Sequence, residues 1–536
     1  MKPTSPAWLA KAIFYEIYPQ TFFDSNNDGI GDLPGVIQKL DYVQSLGCNA
    51  IWLNPCFVSP FGDAGYDVAD FYRVAPRYGT NADLQRLFRE AHRRNMRVCL
   101  DLVAGHTSTA HPWFQASARP EKNKYSNWYV WTDNAWPKPK SNLDTVQGYS
   151  DRDGRYITNF FHFQPALNFG FARPNESWQL PVTHPDVQAV RAEMFKIMRF
   201  WLDQGADGFR VDMASSLVKN DPGFVKTMEW WKEVRAFYDE HYPDAILIAE
   251  WSSPCHAIKA GFHVDFLIHF NGLHYTSLFR YEHARDVFVQ LPKYGHSYFD
   301  RKGQGDVSLF LKDYLRHLKA TKGLGYISLP SGNHDISRLA QGRTRAELEV
   351  IFAFLYTQPG VPYLYYGDEL GMDHIHGLTS KEGAYSRTGA RTPMQWSRRR
   401  NAGFSKAAHK KLYIPIDPNP DRPTVQEQEK DPASLLHHIR RLAQLRQGQP
   451  VLGADASFSP LYARKNQYPF VYLRHDQQSE IIVALNPSAK PCRIVLRQKS
   501  TKQVQVLLSR DCVLAAKRRG MELTMKGISY GIFKIK

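Results

Sequence analysis

The chain has 536 residues, 43% of them hydrophobic and 22% charged, which is ordinary globular composition and too long for one simple core. Its net charge of +16 is carried in part by Arg398-Arg399-Arg400, Lys410-Lys411 and Lys517-Arg518-Arg519, with no nucleic-acid motif beside them, so a solvated basic surface is expected and no nucleic-acid partner. No stretch approaches the ~18 apolar residues of a membrane span, which excludes a helical membrane protein.

Short strand-like runs alternate with longer helical patterns. The first two runs are Ala12–Phe22 and Asn49–Leu53. A helix starting near Asn81 would bury Leu84, Leu87, Phe88 and Ala91, and a third run spans Arg97–Val103. Residues 105–180 are rich in Trp, Asn, Asp and Pro and too long for a plain loop, so they predict a small inserted domain. A helix from about Asp186 to Gln204 places Val187, Val190, Met194, Ile197, Met198 and Trp201 on one face, and Gly205 is a natural stop. The remaining runs are Asp207–Asp212, Ala245–Glu250, Val264–Phe270, Gly325–Leu329 and Val361–Tyr366. Eight strand–helix units with a parallel sheet predict an α/β fold, a (β/α)8 TIM barrel formed by residues 1–104 and 181–447. After about Pro450 the pattern changes to short alternating strands: Phe470–Arg474, Glu480–Leu485, Arg493–Leu496, Val504–Leu508 and Ile528–Ile535. Residues 448–536 are therefore expected to form a C-terminal antiparallel β-sandwich domain. The six cysteines form no C-x-x-C pair and read as free thiols in a reducing compartment. Ala-Trp-Leu-Ala before Lys11 is too short for a signal-peptide core, so a cytoplasmic protein is expected.

In such a barrel, catalytic groups sit at the C-terminal ends of strands. The third strand ends in Asp101-Leu-Val-Ala-Gly-His106, the fourth in Gly208-Phe-Arg210-Val-Asp212 and the fifth in Ile-Ala-Glu250; Gly332-Asn333-His334-Asp335 follows the seventh. Asp212, Glu250 and Asp335 would then converge on one rim. Several carboxylates in one cleft suggest glycosidic bond cleavage or divalent metal binding. A retaining glycosidase uses two, one to attack and one to protonate the leaving oxygen. Arg210 lies two residues before Asp212, on the same face of the strand, where a cation is expected to keep Asp212 ionised. Glu250 follows an apolar run, and burial would raise its pKa, as an acid requires.

The four blocks resemble the four signature regions of glycoside hydrolase family 13, the α-amylase family. Gln164-Pro-Ala-Leu-Asn168 resembles an extra region of its oligo-1,6-glucosidase and α-glucosidase branch. So do Ile17-Tyr-Pro-Gln-Thr-Phe22, Gly65-Tyr66-Asp67, Ala390-Arg391-Thr-Pro-Met-Gln-Trp396 and the closing Gly527–Phe533. The resemblance covers essentially the whole chain. It implies Asp212 as nucleophile, Glu250 as general acid/base and Asp335 as a ligand of the sugar 2- and 3-hydroxyls. It implies that His106 and His334 bond hydroxyls of the same ring, that Tyr66 forms the floor beneath it, and that Asp101, Arg210 and Gln164 line or support the site. Asp67 and Arg391 would face each other at the blind end and bind the 4- and 6-hydroxyls of a terminal glucose.

Three positions depart from the family pattern. Gly105 stands where Asn is usual, the Asn being a ligand of the calcium between barrel and insert in many amylases. Ala166 stands where the branch usually has Asp. Met213 stands where Ala or Val is commoner, a position that helps separate α-1,4 from α-1,6 preference.

The loop Asp24–Asp32 has oxygen donors at alternate positions, namely Asp24, Asn26, Asp28, the Ile30 carbonyl and Asp32, with Gly29 at the bend. This matches the first nine positions of an EF-hand loop, although Gly35 replaces the twelfth-position Glu. It resembles the branch's structural metal loop and implies one divalent ion, calcium with magnesium as the alternative. An Asx-rich turn without metal is the other reading. No organic cofactor is expected. The expected activity is exo hydrolysis of short α-glucosides. The alternative is the same chemistry with a sugar acceptor, as in a trehalose or isomaltulose synthase. A non-catalytic homologue and an endo-amylase fit less well.

Overall fold

Eight parallel strands form the central sheet: β1 (Phe14–Ile17), β2 (Ala50–Leu53), β3 (Arg97–Leu102), β4 (Gly208–Val211), β5 (Ile246–Ala249), β6 (Val264–Phe266), β7 (Tyr326–Ser328) and β8 (Tyr363–Tyr365). The structure is a computed structural model describing residues 5–268, 273–281, 296–383, 385–497, 503–518 and 520–535. β1 pairs with β2 on one side and β8 on the other, and a parallel bridge between Pro330 and Tyr363 links β7 to β8, so the sheet closes into the expected TIM barrel. Phe14, Trp52, Cys99, Ile246, Ile248, Val264, Phe266 and Tyr363 share one buried apolar cluster, so the barrel is a packed core and not a pore.

The first run stops as a strand at Ile17, because Pro19 lacks an N–H for the ladder and opens a short helical turn, Pro19–Phe22. The sixth run is shorter than expected, and its last two residues, His269 and Phe270, lie outside the described residues. Helix α1 (Asn81–His92) starts on a capping box made by Thr80 and Asp83 and buries the expected Leu84, Leu87, Phe88 and Ala91. Helix α2 (Pro185–Asp203) has Pro185 in its first turn and buries all six residues of the expected face.

Between β3 and α2 rise a short helix, Pro112–Ser117, and a hairpin pairing Thr145–Val146 with Tyr156–Ile157. Val130, Ile157, Ala166 and Phe171 give this segment a small core of its own.

The C-terminal strands are β9 (Ser457–Tyr462), β10 (Phe470–His475), β11 (Glu480–Asn486), β12 (Cys492–Leu496), β13 (Val504–Lys517) and β14 (Gly520–Ile535), all antiparallel. One half of β14 pairs with β11 and the other with β12, while β13 runs along both. Register breaks in β13 let the sheet bend. Phe470, Tyr472, Ile481, Val483 and Ile532 join the barrel-side core, while Val471, Ile482 and Phe533 meet Leu514, Leu523 and Met525 in a second one. That alternation gives the domain its sandwich-like character. β9, which holds Pro460, is not among the expected runs; the strand sits at the sheet edge, where a missing N–H is tolerated. Among the described residues, no helix is long and apolar enough to cross a membrane.

Candidate active site

Strand register brings the acidic groups together. Asp101 on β3 lies opposite Arg210 on β4, and Val211 lies opposite Ala249 on β5, so Asp212 and Glu250 emerge side by side where the strands end. Arg210 and Asp212 share the interior face of β4 by two-residue periodicity. The buried Arg210 guanidinium holds three carboxylates: Nη1 lies 2.8 Å from Asp101 Oδ1 and 3.1 Å from Asp212 Oδ1, and Nη2 lies 2.8 Å from Glu250 Oε1. The chain turns immediately after Asp212. Met213 adopts a left-handed φ of 43°, a conformation that costs a non-glycine residue about 1–3 kcal/mol. The turn aims the Met213 N–H at Glu250 Oε2, 2.9 Å away.

Burial pushes the pKa of Asp212 well above the carboxylate range, with Glu250 adding to the rise and Arg210 opposing it. Burial also raises Glu250, against the pull of Arg210 and the Met213 N–H. The Arg210-x-Asp212 spacing predicts a cation that keeps Asp212 ionised, and the upward shift of Asp212 runs against that expectation. The structure instead divides that cation among three carboxylates and sets it closer to Glu250 than to Asp212. Two buried carboxylates side by side resist double ionisation, so the pair retains a proton as a unit.

Asp335 forms the facing wall. Its Oδ1 accepts from Arg387 Nη1 at 2.6 Å and Arg391 Nη2 at 3.0 Å, and its Oδ2 lies 3.3 Å from His334 Nε2. His334 Nδ1 lies 2.9 Å from Glu16 Oε1, and the ring stacks on Tyr66 at 5.3 Å between centroids. The Tyr66 hydroxyl donates to Asp101 Oδ2 at 3.0 Å. Burial lowers the pKa of His334 well below the usual imidazole range, with Asp335 opposing, and that of His106 to about 3.

These groups surround a cavity of about 220 Å³ whose wall carries Asp212, Glu250, Asp335, Tyr66 and His106, together with Asp63 and Arg387. Pockets for drug-sized ligands run roughly 300–1,000 Å³, so this one suits a single ring. The family model for the α-amylase catalytic domain matches residues 16–455. The chain belongs to the α-amylase family, glycoside hydrolase family 13. The enzyme is 32% identical over 499 residues to a trehalose synthase/amylase of Mycobacterium tuberculosis, covering 85% of this chain and 77% of that one. It is 29% identical over 556 residues to an oligo-1,6-glucosidase of Parageobacillus thermoglucosidasius, covering 90% and 91%. Among solved structures, a trehalulose synthase from Pseudomonas mesoacidophila matches with a TM-score of 0.81 at 26% identity, covering 100% of both chains. A trehalose-6-phosphate hydrolase from Bacillus licheniformis matches at 0.80 and 26%, covering 99% and 100%. The relatives are glucosidases and transglucosylases.

The structure places three residues of this family 13 enzyme, Asp67, Arg391 and Gln164, otherwise than expected. Asp67 does not meet Arg391. Its carboxylate is taken by its own turn, accepting from Ser59 Oγ at 2.9 Å, Gly62 N at 2.8 Å and Asp63 N at 3.1 Å. Arg391 lies behind Asp335 and donates to the His334 carbonyl at 2.7 Å. At the cavity Asp63 pairs with Arg387 at 3.3 Å, the same guanidinium that reaches Asp335 at 2.6 Å. Gln164 touches Asp63 and does not line the cavity: its Nε2 donates to Asp63 Oδ2 at 2.9 Å. Asp63 and Arg387 each lie four residues before the expected residue, just outside the Gly65–Asp67 and Ala390–Trp396 blocks. Phe160 and Trp251, which also line the cavity, carried no signal beyond being aromatic.

The Asp24–Asp32 loop closes on itself. Asp24 accepts from Asn27 N at 2.7 Å and Gly29 N at 2.9 Å; Asp32 accepts from Ser25 N at 3.0 Å and Gly35 N at 2.6 Å. Asn26 and Asp28 bond each other and are exposed. The donor set suits a hard cation, and the carboxylate oxygens that accept one N–H keep a second lone pair, although Asp24 Oδ2 also accepts from Ser405 Oγ at 2.5 Å. Among the described residues, no three acidic, imidazole or thiol groups are gathered into a coordination shell, so ligation needs Asn26 and Asp28 to turn inward.

Proposed function

We propose that the enzyme cleaves the terminal α-glucosidic bond of short malto- or isomalto-oligosaccharides by an exo-acting, retaining, double-displacement mechanism. The observation that carries this reading is one ring-sized cavity holding Asp212, Glu250 and Asp335 together with the Asp63–Arg387 pair. The shared Arg210 ties Asp212 and Glu250 to opposite ends of one guanidinium, which supports the short carboxylate separation of about 5–5.5 Å that retention needs.

In the first step Asp212 attacks the anomeric carbon as Glu250 gives its proton to the glycosidic oxygen, and the leaving sugar departs neutral. In the second, Glu250 takes a proton from water, the resulting hydroxide attacks the same carbon, and Asp212 is released as carboxylate. Asp335 and His106 hold ring hydroxyls, His334 supports Asp335 from outside the cavity wall, and Asp63 with Arg387 grips the hydroxyls of the non-reducing end. A charge-assisted pair there also blocks the space in which a longer chain would continue. The divalent ion in the Asp24–Asp32 loop is a structural element in this reading and takes no part in either step. Six free cysteines, four of them buried, support a reducing, cytoplasmic setting.

A sugar acceptor in place of water, giving a trehalose or isomaltulose synthase-like isomerase, is the second reading. The 32% identity to a trehalose synthase/amylase favours it, as do Phe160 and Trp251 on the cavity wall, where rings can retain a released sugar. Maltose, isomaltose, sucrose, trehalose, panose and starch, each with product anomers followed by NMR, separate the two. Glucose first released as the α-anomer supports hydrolysis with retention. A new disaccharide supports transfer, and rapid cyclodextrin opening overturns the exo assignment.

A further inference from the structure

His106 is held from behind by residues that none of the chemistry above uses. Lys219 lies beyond the C-terminal end of β4, and its Nζ lies 3.0 Å from Asn159 Oδ1 and 2.6 Å from the Ser216 carbonyl. Asn159 belongs to the inserted segment, and its Nδ2 lies 3.1 Å from His106 Nδ1 and 3.0 Å from Ser216 Oγ. We propose that Asn159 and Lys219 are positioning residues that lock His106 as the Nε2–H tautomer, which donates to the Tyr66 carbonyl and so holds the ring in place on the cavity wall.

The assignment follows from donor counting. Burial lowers the pKa of Lys219 to about 8; below that pH it is an ammonium, with three donors and no acceptor, so the amide oxygen of Asn159 must face it. The charge thereby fixes an amide orientation that packing alone leaves free to flip. The amide nitrogen then faces His106 Nδ1 and can only donate, so Nδ1 carries no proton. On the other side, His106 Nε2 lies 3.1 Å from the Tyr66 carbonyl, which can only accept. Burial keeps the ring neutral with a single proton. Both constraints place that proton on Nε2. The Tyr66 carbonyl alone does not settle the matter, since Nδ1–H with a bare Nε2 is the competing form; the Lys219–Asn159 pair removes it.

Gly105 makes room for this device. A Cβ there would lie 2.7 Å from Asn159 Nδ2, closer than real Cβ contacts come, and 3.1 Å from Ser216 Oγ, so the Asn159 amide would have to shift. That amide links the inserted segment to the barrel rim.

The tautomer assignment stands on the donor geometry together with the neutrality that burial gives the ring, while the effect on substrate rests on the sugar-binding reading of the cavity. The test is 15N NMR of the histidine-labelled enzyme, with His106 assigned by its loss in His106→Gln, alongside kinetics on an aryl α-glucoside. The wild-type ring is expected as Nε2–H. Asn159→Asp keeps an acceptor on Lys219 but offers only acceptors to the ring, so the proton should move to Nδ1. With the thermal midpoint retained, kcat/KM should fall roughly 2- to 10-fold, mostly through KM, the loss of about one neutral hydrogen bond. Gly105→Ala, which displaces the amide, should shift the ring in the same direction. A wild-type Nδ1–H ring, or a ring unmoved by Asn159→Asp, overturns the proposal. A ring that moves as expected while kcat/KM stays at wild type upholds the positioning device and overturns His106 as a sugar contact.

Discussion

Arg210 donates to Glu250 Oε1 at 2.8 Å from inside the barrel. The same guanidinium reaches Asp212 at 3.1 Å, so the two carboxylates of the cavity share one counter-charge and titrate as a pair. Each is raised by burial, and Asp212 is raised further by the negative charge of Glu250.

The pH dependence follows in sign. Activity requires one proton on the pair: with two there is no nucleophile, and with none there is no acid. Since burial raises both groups, the alkaline limb of kcat/KM should lie above the ordinary carboxylate range. Glu250→Gln removes a charge that raises Asp212, so Asp212 should ionise at lower pH in that variant. The burst of phenolate from an activated aryl α-glucoside, which needs little protonation, should show its acid limb displaced downward. An unmoved or upward-shifted limb contradicts the coupling.

Asp212→Asn should abolish turnover and leave the fold intact, because Arg210 keeps Asp101 and Glu250 as partners when the nucleophile is neutralised. Circular dichroism and a thermal melt check the fold. Wild-type turnover in this variant would remove Asp212 from the mechanism.

Asp63 and Asp67 should separate function from scaffold. Asp63→Asn removes the charge-assisted contact with Arg387 and should lower kcat/KM on maltose roughly 10- to 150-fold, the equivalent of about 1.5–3 kcal/mol. Asp67→Asn disturbs the turn that presents Asp63 and should lower stability by about 1–3 kcal/mol, with a much smaller effect on substrate preference. If the two variants exchange these phenotypes, the Asp67 assignment is restored and the corrected one fails.

The Asp24–Asp32 loop is tested by ion and chelator. If a divalent ion sits there, calcium should raise the melting temperature, and chelation should lower it more than it lowers kcat at moderate temperature. A melting temperature indifferent to both points to a self-capped turn, which the existing hydrogen bonds already sustain.

Local rules carried the fold a long way. The two-residue period places Arg210 and Asp212 on one face of β4 whatever lies around them, and the capping box at Thr80–Asp83 starts α1 from four residues of sequence. The strand β9, which holds Pro460, is not among the expected runs; it lies at a sheet edge, where a missing N–H is tolerated.

By itself, then, the sequence determined the barrel, the strand ends and the acids they carry, because periodicity, caps and turns are properties of a few neighbouring residues. Only the tertiary structure decided which acid meets which arginine. Asp63 and Arg387 are 324 positions apart, and their pairing depends on Asp67 being occupied by its own turn and Arg391 by Asp335. The share of Arg210 that each carboxylate receives, and the route from Lys219 through Asn159 to His106, were decided in the same way. A buried side chain's partner is set by what the packed chain leaves unsatisfied within hydrogen-bond reach, and no local pattern encodes that.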